Sequence, residues 1–249
     1  MPKTMQAHVG TSGWTYDHWQ GSFYPAACPK ARRLEYYAGR FSTVELNATF
    51  YRVLPEATFA NWYARTPPGF CWAVKANRFI THIKRLKDAR EPLQRFLRCV
   101  APLKEKLGPI LFQLPPGLSY DEEILEVFGR ELPAGLKFAL EARHRSWLAA
   151  KALQALKDHR IAWCISDTAG RYPYLEAVTA EFIYIRLHGS RTLYASEYTE
   201  QELCVWARKI TAWGKEAYVY FDNDALAHAP RNAARLIELL QRSSRMTGA

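Results

Sequence analysis

The stretch GPILFQLPPGLSYDEEILEVFGRELPAGLKFALEAR, residues 108–143, decides the fold. Gly108-Pro109 stops the helix before it and starts an apolar run, PILFQL (109–114). PPGLSYDEE follows, with Ser119 and Glu122 spaced as a capping box for a new helix. KFALEAR (137–143) is a second apolar run, and it ends on charge. The order is strand, helix, strand, the unit that joins parallel strands.

The same unit recurs on both sides. HVGTSGW (8–14), STVELN (42–47), CWAVKA (71–76), AWCISD (162–167), FIYIRLH (182–188) and AYVYFDN (217–223) bring the strands to eight. Helical stripes separate most of them, such as Leu93, Phe96, Leu97, Val100, Leu103 and Leu107, or Leu203, Trp206, Ile210 and Trp213 behind a Thr199–Glu202 capping box. The pattern predicts an α/β chain, a single (β/α)8 TIM barrel. The connection DTAGRYPYLEAVTAE (167–181) is turn-rich, so an irregular segment replaces one outer helix there. No Gly/Ser/Pro-rich linker divides the chain, so residues 1–249 read as one domain.

Composition narrows the partners. A formal charge of +10 and a pI near 9.4 favour an anionic small molecule or nucleic acid, or else an Arg-rich surface without specific meaning. The five cysteines form no CxxC, and two sit inside strand runs. That argues against a disulfide framework or a zinc site and for a reducing compartment, the cytoplasm by default. MPKTMQAHVG lacks an apolar signal region, and no run is long enough to span a membrane. Oligomeric state is not encoded legibly.

In a TIM barrel the C-terminal strand ends converge on one mouth. Here they carry Glu45, Asn47, Lys75, Gln113, Glu141, Arg143, His144, Asp167, Arg186, His188, Asp222 and Asn223. A carboxylate inside a barrel must be paired, hydrated or neutral. Glu45 is thus either a general acid or base, or half of a structural ion pair with Lys75 or Arg186. Glu141 and Arg143 share a face by strand alternation, and His144 beside them is a residue type suited to proton transfer. Either these three do acid/base work, or Arg143 neutralises Glu141 and His144 caps the next helix. Lys75 is a proton-transfer group, a nucleophile or an electrostatic clamp. Gly189 and Arg191 beside His188 suit an anion, because barrel phosphate sites use the loops after strands seven and eight. The acidic groups and histidines together raise a divalent metal as an alternative, though no HxH or HExxH spacing supports it. Trp14, Tyr16, Trp19, Phe23 and Tyr24 either stack on a ligand or plug the barrel top.

GTSGWTYDHWQGSFYP, STVELNATFYRVLP, AVKANRFITHIKRL, ILFQLPP, EARHRSW, RLHG and YVYFDND, in this order, resemble the YecE-like proteins, domain of unknown function 72. The resemblance runs from about His8 to Leu240 and implies a TIM barrel. It implies no particular reaction.

The inventory supports an enzyme, a hydrolase or isomerase acting on a sugar phosphate or a nucleic-acid phosphodiester. In that reading Glu45, Glu141, His144, His188 and Lys75 are catalytic. Trp14, Tyr16, Asn47, Gln113, Arg143, Asp167, Arg186, Arg191 and Asn223 bind substrate. The alternatives are a non-catalytic nucleic-acid-binding protein that uses the basic loop 76–92, and a small-anion-binding scaffold.

Overall fold

A computed structural model describes residues 6–247. Eight parallel strands follow one another around a barrel, in the order β1-β8-β7-β6-β5-β4-β3-β2. They are β1 Ala7–Thr11, β2 Thr43–Leu46, β3 Cys71–Lys75, β4 Leu107–Gln113, β5 Phe138–Glu141, β6 Ile161–Asp167, β7 Phe182–Leu187 and β8 Glu216–Phe221. The outer helices are α1 Arg33–Ala38, α2 Ala48–Tyr51, α3 Glu56–Ala64, α4 Arg90–Val100, α5 Glu122–Arg130, α6 Ala150–Asp158, α7 Glu200–Trp213 and α8 His228–Thr247. No helix lies between β6 and β7 among the described residues, as the turn-rich sequence predicts. None of the described helices is long and apolar enough to cross a membrane.

Two local expectations change. Asp121, not Ser119, caps α5, and its carboxylate accepts the Ile124 N–H at 3.1 Å. The stripe from Leu93 to Leu107 is not one helix: α4 ends at Val100, a 3-10 segment covers Ala101–Lys106, and Leu107 opens β4. The Thr199–Glu202 capping box is present on α7.

The barrel closes at a seam between β1 and β2. Ser12 bridges Glu45, and Gly13 N–H donates to Glu45 O at 2.9 Å. Lower down, the Tyr37 hydroxyl of α1 stands in for direct pairing. It accepts Thr11 N–H and donates to Thr43 O, both at 3.0 Å. Only glycine fits at position 10, since a Cβ there would lie 2.2 Å from Thr43 O.

Strand alternation sorts the side chains into two sets. One set packs outward under the helices, with Val44, Trp72, Phe112 and Ile185 among them. The other fills the interior: Ala73, Leu111, Ala139 and Ala162 face Tyr184, Tyr218 and Tyr220. Small residues on β3, β5 and β6 leave room for the tyrosines of β7 and β8. The same inward parity carries on upward to Glu45, Lys75, Gln113, Glu141, Arg186 and Asp222. The polar strand ends are the top layer of the core.

Candidate functional site

Arg186 organises that top layer. The residue is 1% exposed, and every N–H direction meets a protein acceptor. Nε donates to Glu45 Oε1 at 2.9 Å, and Nη2 to Glu45 Oε2 at 2.8 Å. Nη1 donates to Glu141 Oε2 at 2.7 Å and faces His188 Nε2 at 3.3 Å. Nη2 also reaches Ser12 Oγ at 3.1 Å and Asp222 Oδ2 at 3.2 Å. The expected anion-binding role for Arg186 therefore changes, because its donors are spent inside the protein and it positions the carboxylates instead.

Glu45 is saturated in the same way. Tyr184 donates to Oε1 at 2.7 Å, and Ser12 Oγ donates to Oε2. Of its two expected partners, Arg186 binds it, while the hydrogen bond of Lys75 goes to Gln113 Oε1 at 2.7 Å. Glu141 accepts from Arg143 Nε at 3.1 Å as well as from Arg186. Burial pushes its carboxyl up, but Arg186 and Arg143 outweigh burial and hold it well below the usual range. Asp222, half-buried, is held low by His188, whose Nδ1 lies 2.9 Å from Oδ2, and by Arg186.

Around this layer stand the residues that end β3 and follow β5. Lys75 ends β3 with 7% exposure and its Nζ 4.3 Å from the centre of the Phe50 ring. Burial and the Arg186 charge lower its pKa to about 8. Arg143 stacks on Tyr172, 4.4 Å from the ring centre. His82, from the loop after β3, meets the Phe50 ring edge-on at 5.0 Å, and burial, Lys75, Arg143 and Arg78 together lower it to about 4. Tyr16 and Tyr194 complete the rim. Tyr16 donates to Ser12 O at 2.6 Å, and the Tyr194 ring meets His188 edge-on at 5.4 Å. Gly13, with φ +93°, permits the Tyr16 contact, since a Cβ would lie 2.8 Å from the phenol oxygen.

Other expected site residues lie elsewhere. His144 accepts the Ser146 N–H and caps the turn Arg145–Leu148, the helix-capping alternative. The Trp14 ring is buried edge-on between Trp62 and Trp72, so it packs under α3 and offers no stacking surface. Trp19, Phe23 and Tyr24 pack on one another, and Phe23 and Tyr24 meet Tyr36 of α1, with Phe23 also on Phe41 before β2. Asn47 donates to Ser12 Oγ at 2.7 Å, at the rim. Asn223 ties the β7 loop to α8 through Ser196 O and Asn232 Oδ1. Asp167 accepts from Tyr198 at 2.9 Å. Arg191 is exposed and donates to Glu197 O at 3.3 Å. The amides expected to cradle an anion are engaged: Gly189 N–H by Tyr198, Arg191 and Thr192 N–H by Ser196, each at 3.1 Å.

Ser12, His82 and Tyr184 are the site groups to which the sequence reading gave no catalytic or binding role, and Asp222 was expected only as one of the converging strand ends. Asp222 directly follows β8 and keeps the inward parity of Tyr218 and Tyr220. Ser12 and His82 lie in the strings GTSGWTYDHWQGSFYP and AVKANRFITHIKRL that carry the family resemblance, but no chemical role was read for either. Among the described residues, no group of three or more His, Cys, Asp or Glu is arranged to hold a metal. The Arg186 guanidinium stands among the carboxylates where such an ion would need to sit. The divalent-metal alternative therefore does not fit these residues.

A protein-family pattern described as "Protein of unknown function DUF72" matches residues 8–248. The chain belongs to the DUF72 family. A curated relative, UPF0759 protein YunF of Bacillus subtilis, is 26% identical over 94% of each chain. A solved DUF72 structure from Thermotoga maritima is 30% identical and superposes with a TM-score of 0.86, covering 95% of this chain and 99% of that one. A DUF72 structure from Enterococcus faecalis, 21% identical, has a TM-score of 0.82 over 95% of this chain and 96% of its own, and speaks to the fold alone. The implied TIM barrel is thus borne out, and the family supplies no substrate.

Proposed function

We propose that this DUF72 protein is an enzyme, a hydrolase or isomerase, that takes a phosphate-bearing substrate at the C-terminal mouth of the barrel. The supporting observation is the cationic lobe made by Lys75, Arg143 and Arg78 around a neutral His82. Three cations that disfavour the charge on one imidazole leave a positive field that a small anion would complete. The charge lies on the β3–β5 side, not on the loops after strands seven and eight. Arg186, Lys75 and Arg143 together match the charges of Glu45, Glu141 and Asp222, so the net excess is carried by Arg78 on the loop after β3.

Roles follow from access and ionisation. Glu45 and Glu141 have their oxygens taken up by protein donors and position Arg186 and Arg143. Lys75, whose pKa burial lowers to about 8, and the His188–Asp222 pair handle protons. Arg143 and His82 hold the anion, with Gln113 steadying Lys75. The test is a thermal-shift series with inorganic phosphate and sugar phosphates on the wild type and Arg143→Met. Stabilisation by phosphate that disappears in R143M is expected. Equal response of both proteins would remove the reading.

Nucleic-acid binding is the second reading. It rests on Tyr51 and Phe79, 71% and 46% exposed, beside Arg52 on a groove of about 900 Å³ between α2 and α4. Asp88, Glu91 and Glu131 also line that groove and weaken its attraction for a polyanion. A salt-dependent mobility shift lost in Arg52→Ala/Phe79→Ala would favour it.

A further inference from the structure

We propose that Lys75 is a Schiff-base nucleophile and that the substrate of this site is an anionic aldehyde or ketone. The inference rests on the anion reading above and adds the reactive group.

Lys75 is an unusual lysine in its setting. It faces inward at the end of β3, in the layer that holds Glu45, Glu141 and Asp222. Yet its one side-chain hydrogen bond among the described residues goes to a neutral amide, Gln113 Oε1 at 2.7 Å. Those carboxylates pair with Arg186, Arg143 and His188 instead. The Phe50 face closes one side at 4.3 Å. A lysine meant only to balance charge would be met by a carboxylate. One meant to attack carbon needs an amine that deprotonates readily, which burial beside other cations supplies. Gln113 fixes the direction of Nζ and does not compete for its proton.

The step balances without a further reagent. The Nζ lone pair attacks the carbonyl carbon, a C–N bond forms, and the carbonyl oxygen leaves as water. Lysine ammonium plus carbonyl gives protonated imine plus water, so both hydrogens of the water come from the ammonium nitrogen. Arg143 and His82 would hold the anionic end of the same molecule.

The test is reductive trapping on the wild-type protein at pH 7.5. Dihydroxyacetone phosphate or dihydroxyacetone is added with cyanoborohydride, and adducts are mapped by peptide mass spectrometry. Exposed Lys87 serves as the internal reference. The expected result is an adduct on Lys75 at least tenfold above Lys87 with the phosphorylated ketone, and competition by inorganic phosphate. Labelling of Lys75 no faster than Lys87 by either ketone overturns the proposal, even where phosphate still stabilises the protein and the anion reading survives. Selective Lys75 labelling by both ketones alike, without phosphate competition, supports the nucleophile and removes the anion reading. Because the decisive comparison is made within the wild-type chain, it does not depend on a Lys75 variant folding.

Discussion

Arg186 on β7 and Glu45 on β2 are joined by a two-pronged contact inside the barrel, Nε to Oε1 at 2.9 Å and Nη2 to Oε2 at 2.8 Å. The strands are not neighbours, since β1 and β8 stand between them. A fork of this kind fixes direction as well as charge, because the planar guanidinium matches the carboxylate edge. It orients the Arg186 donor that reaches Glu141, and Glu141 in turn receives Arg143 at the mouth.

Arg186→Met should strand three carboxylates in or beside a dry interior. Removing one partner of a buried pair costs roughly 3–5 kcal/mol, and this partner serves more than one pair. The sign with pH is definite. Without the cation the carboxyl pKa values rise above their unfolded values, so the penalty is present at neutral pH and eases as protons bind. Urea melts at pH 8 and pH 5 check this: a deficit that is equal at both, or absent, contradicts the network.

Glu141 is not half of a simple pair, and its mutants should show it. Arg143→Met leaves Glu141 with Arg186, whereas Glu141→Gln removes the charge facing both arginines. E141Q should lose more stability than R143M, and the double variant should recover little of that loss. Full recovery in the double would reduce the site to an isolated Glu141–Arg143 pair.

Asp224 ties the β8 loop to the β1 loop through Trp19 Nε1 at 2.5 Å and His18 at 3.0 Å. Burial raises its pKa to about 6 despite those partners. A raised carboxyl favours the folded state when protonated, so its contribution is full below the ordinary value near 4 and is lost as pH rises through 6. Asp224→Asn keeps an acceptor for Trp19 without the charge. The variant should melt above the wild type at pH 7.5, and the gap should narrow by pH 4. A gap independent of pH would mean that Asp224 does not titrate in this range.

His82 should report on the lobe directly. Its imidazole titrates near pH 4 in the free protein, held down by burial and by Lys75, Arg143 and Arg78. Lys75→Met removes one cation and should move it upward, and saturating phosphate should move it upward in the wild type. Nitrogen-15 spectra of the ring across pH 3–8 measure both. No movement in either case would separate His82 from the site.

Tyr37→Phe tests the seam. The missing hydroxyl leaves Thr11 N–H and Thr43 O without their bridge. An unsatisfied buried polar group costs about 1–3 kcal/mol, and exchange of the Thr11 amide should quicken ahead of the amides in β4. Unchanged protection at Thr11 would show that β1 and β2 close without Tyr37.

The sequence by itself determined the barrel. Eight apolar runs, punctuated by turns and capped helices, leave parallel strands around one core, because period-2 alternation and helical stripes are local properties of the chain. It also determined which layer would be polar, since the charged residues sit at fixed places after each run. It marked the absent helix after β6 for the same local reason. What each polar residue does was decided only by closure of the barrel. Glu45, Glu141 and Arg186 are far apart in the chain, and their pairing depends on which inward side chain is long enough to cross the axis. Arg186 took the carboxylates, and Lys75 was left with Gln113. His144 and Trp14 look like site residues on paper, yet one turns to cap a helix and the other sinks beneath α3. Ser12 and His82 look ordinary, yet backbone turns after β1 and β3 carry them to the site. Ionisation followed the same rule, because burial and neighbouring charge exist only once distant strands share a small volume from which water has been excluded.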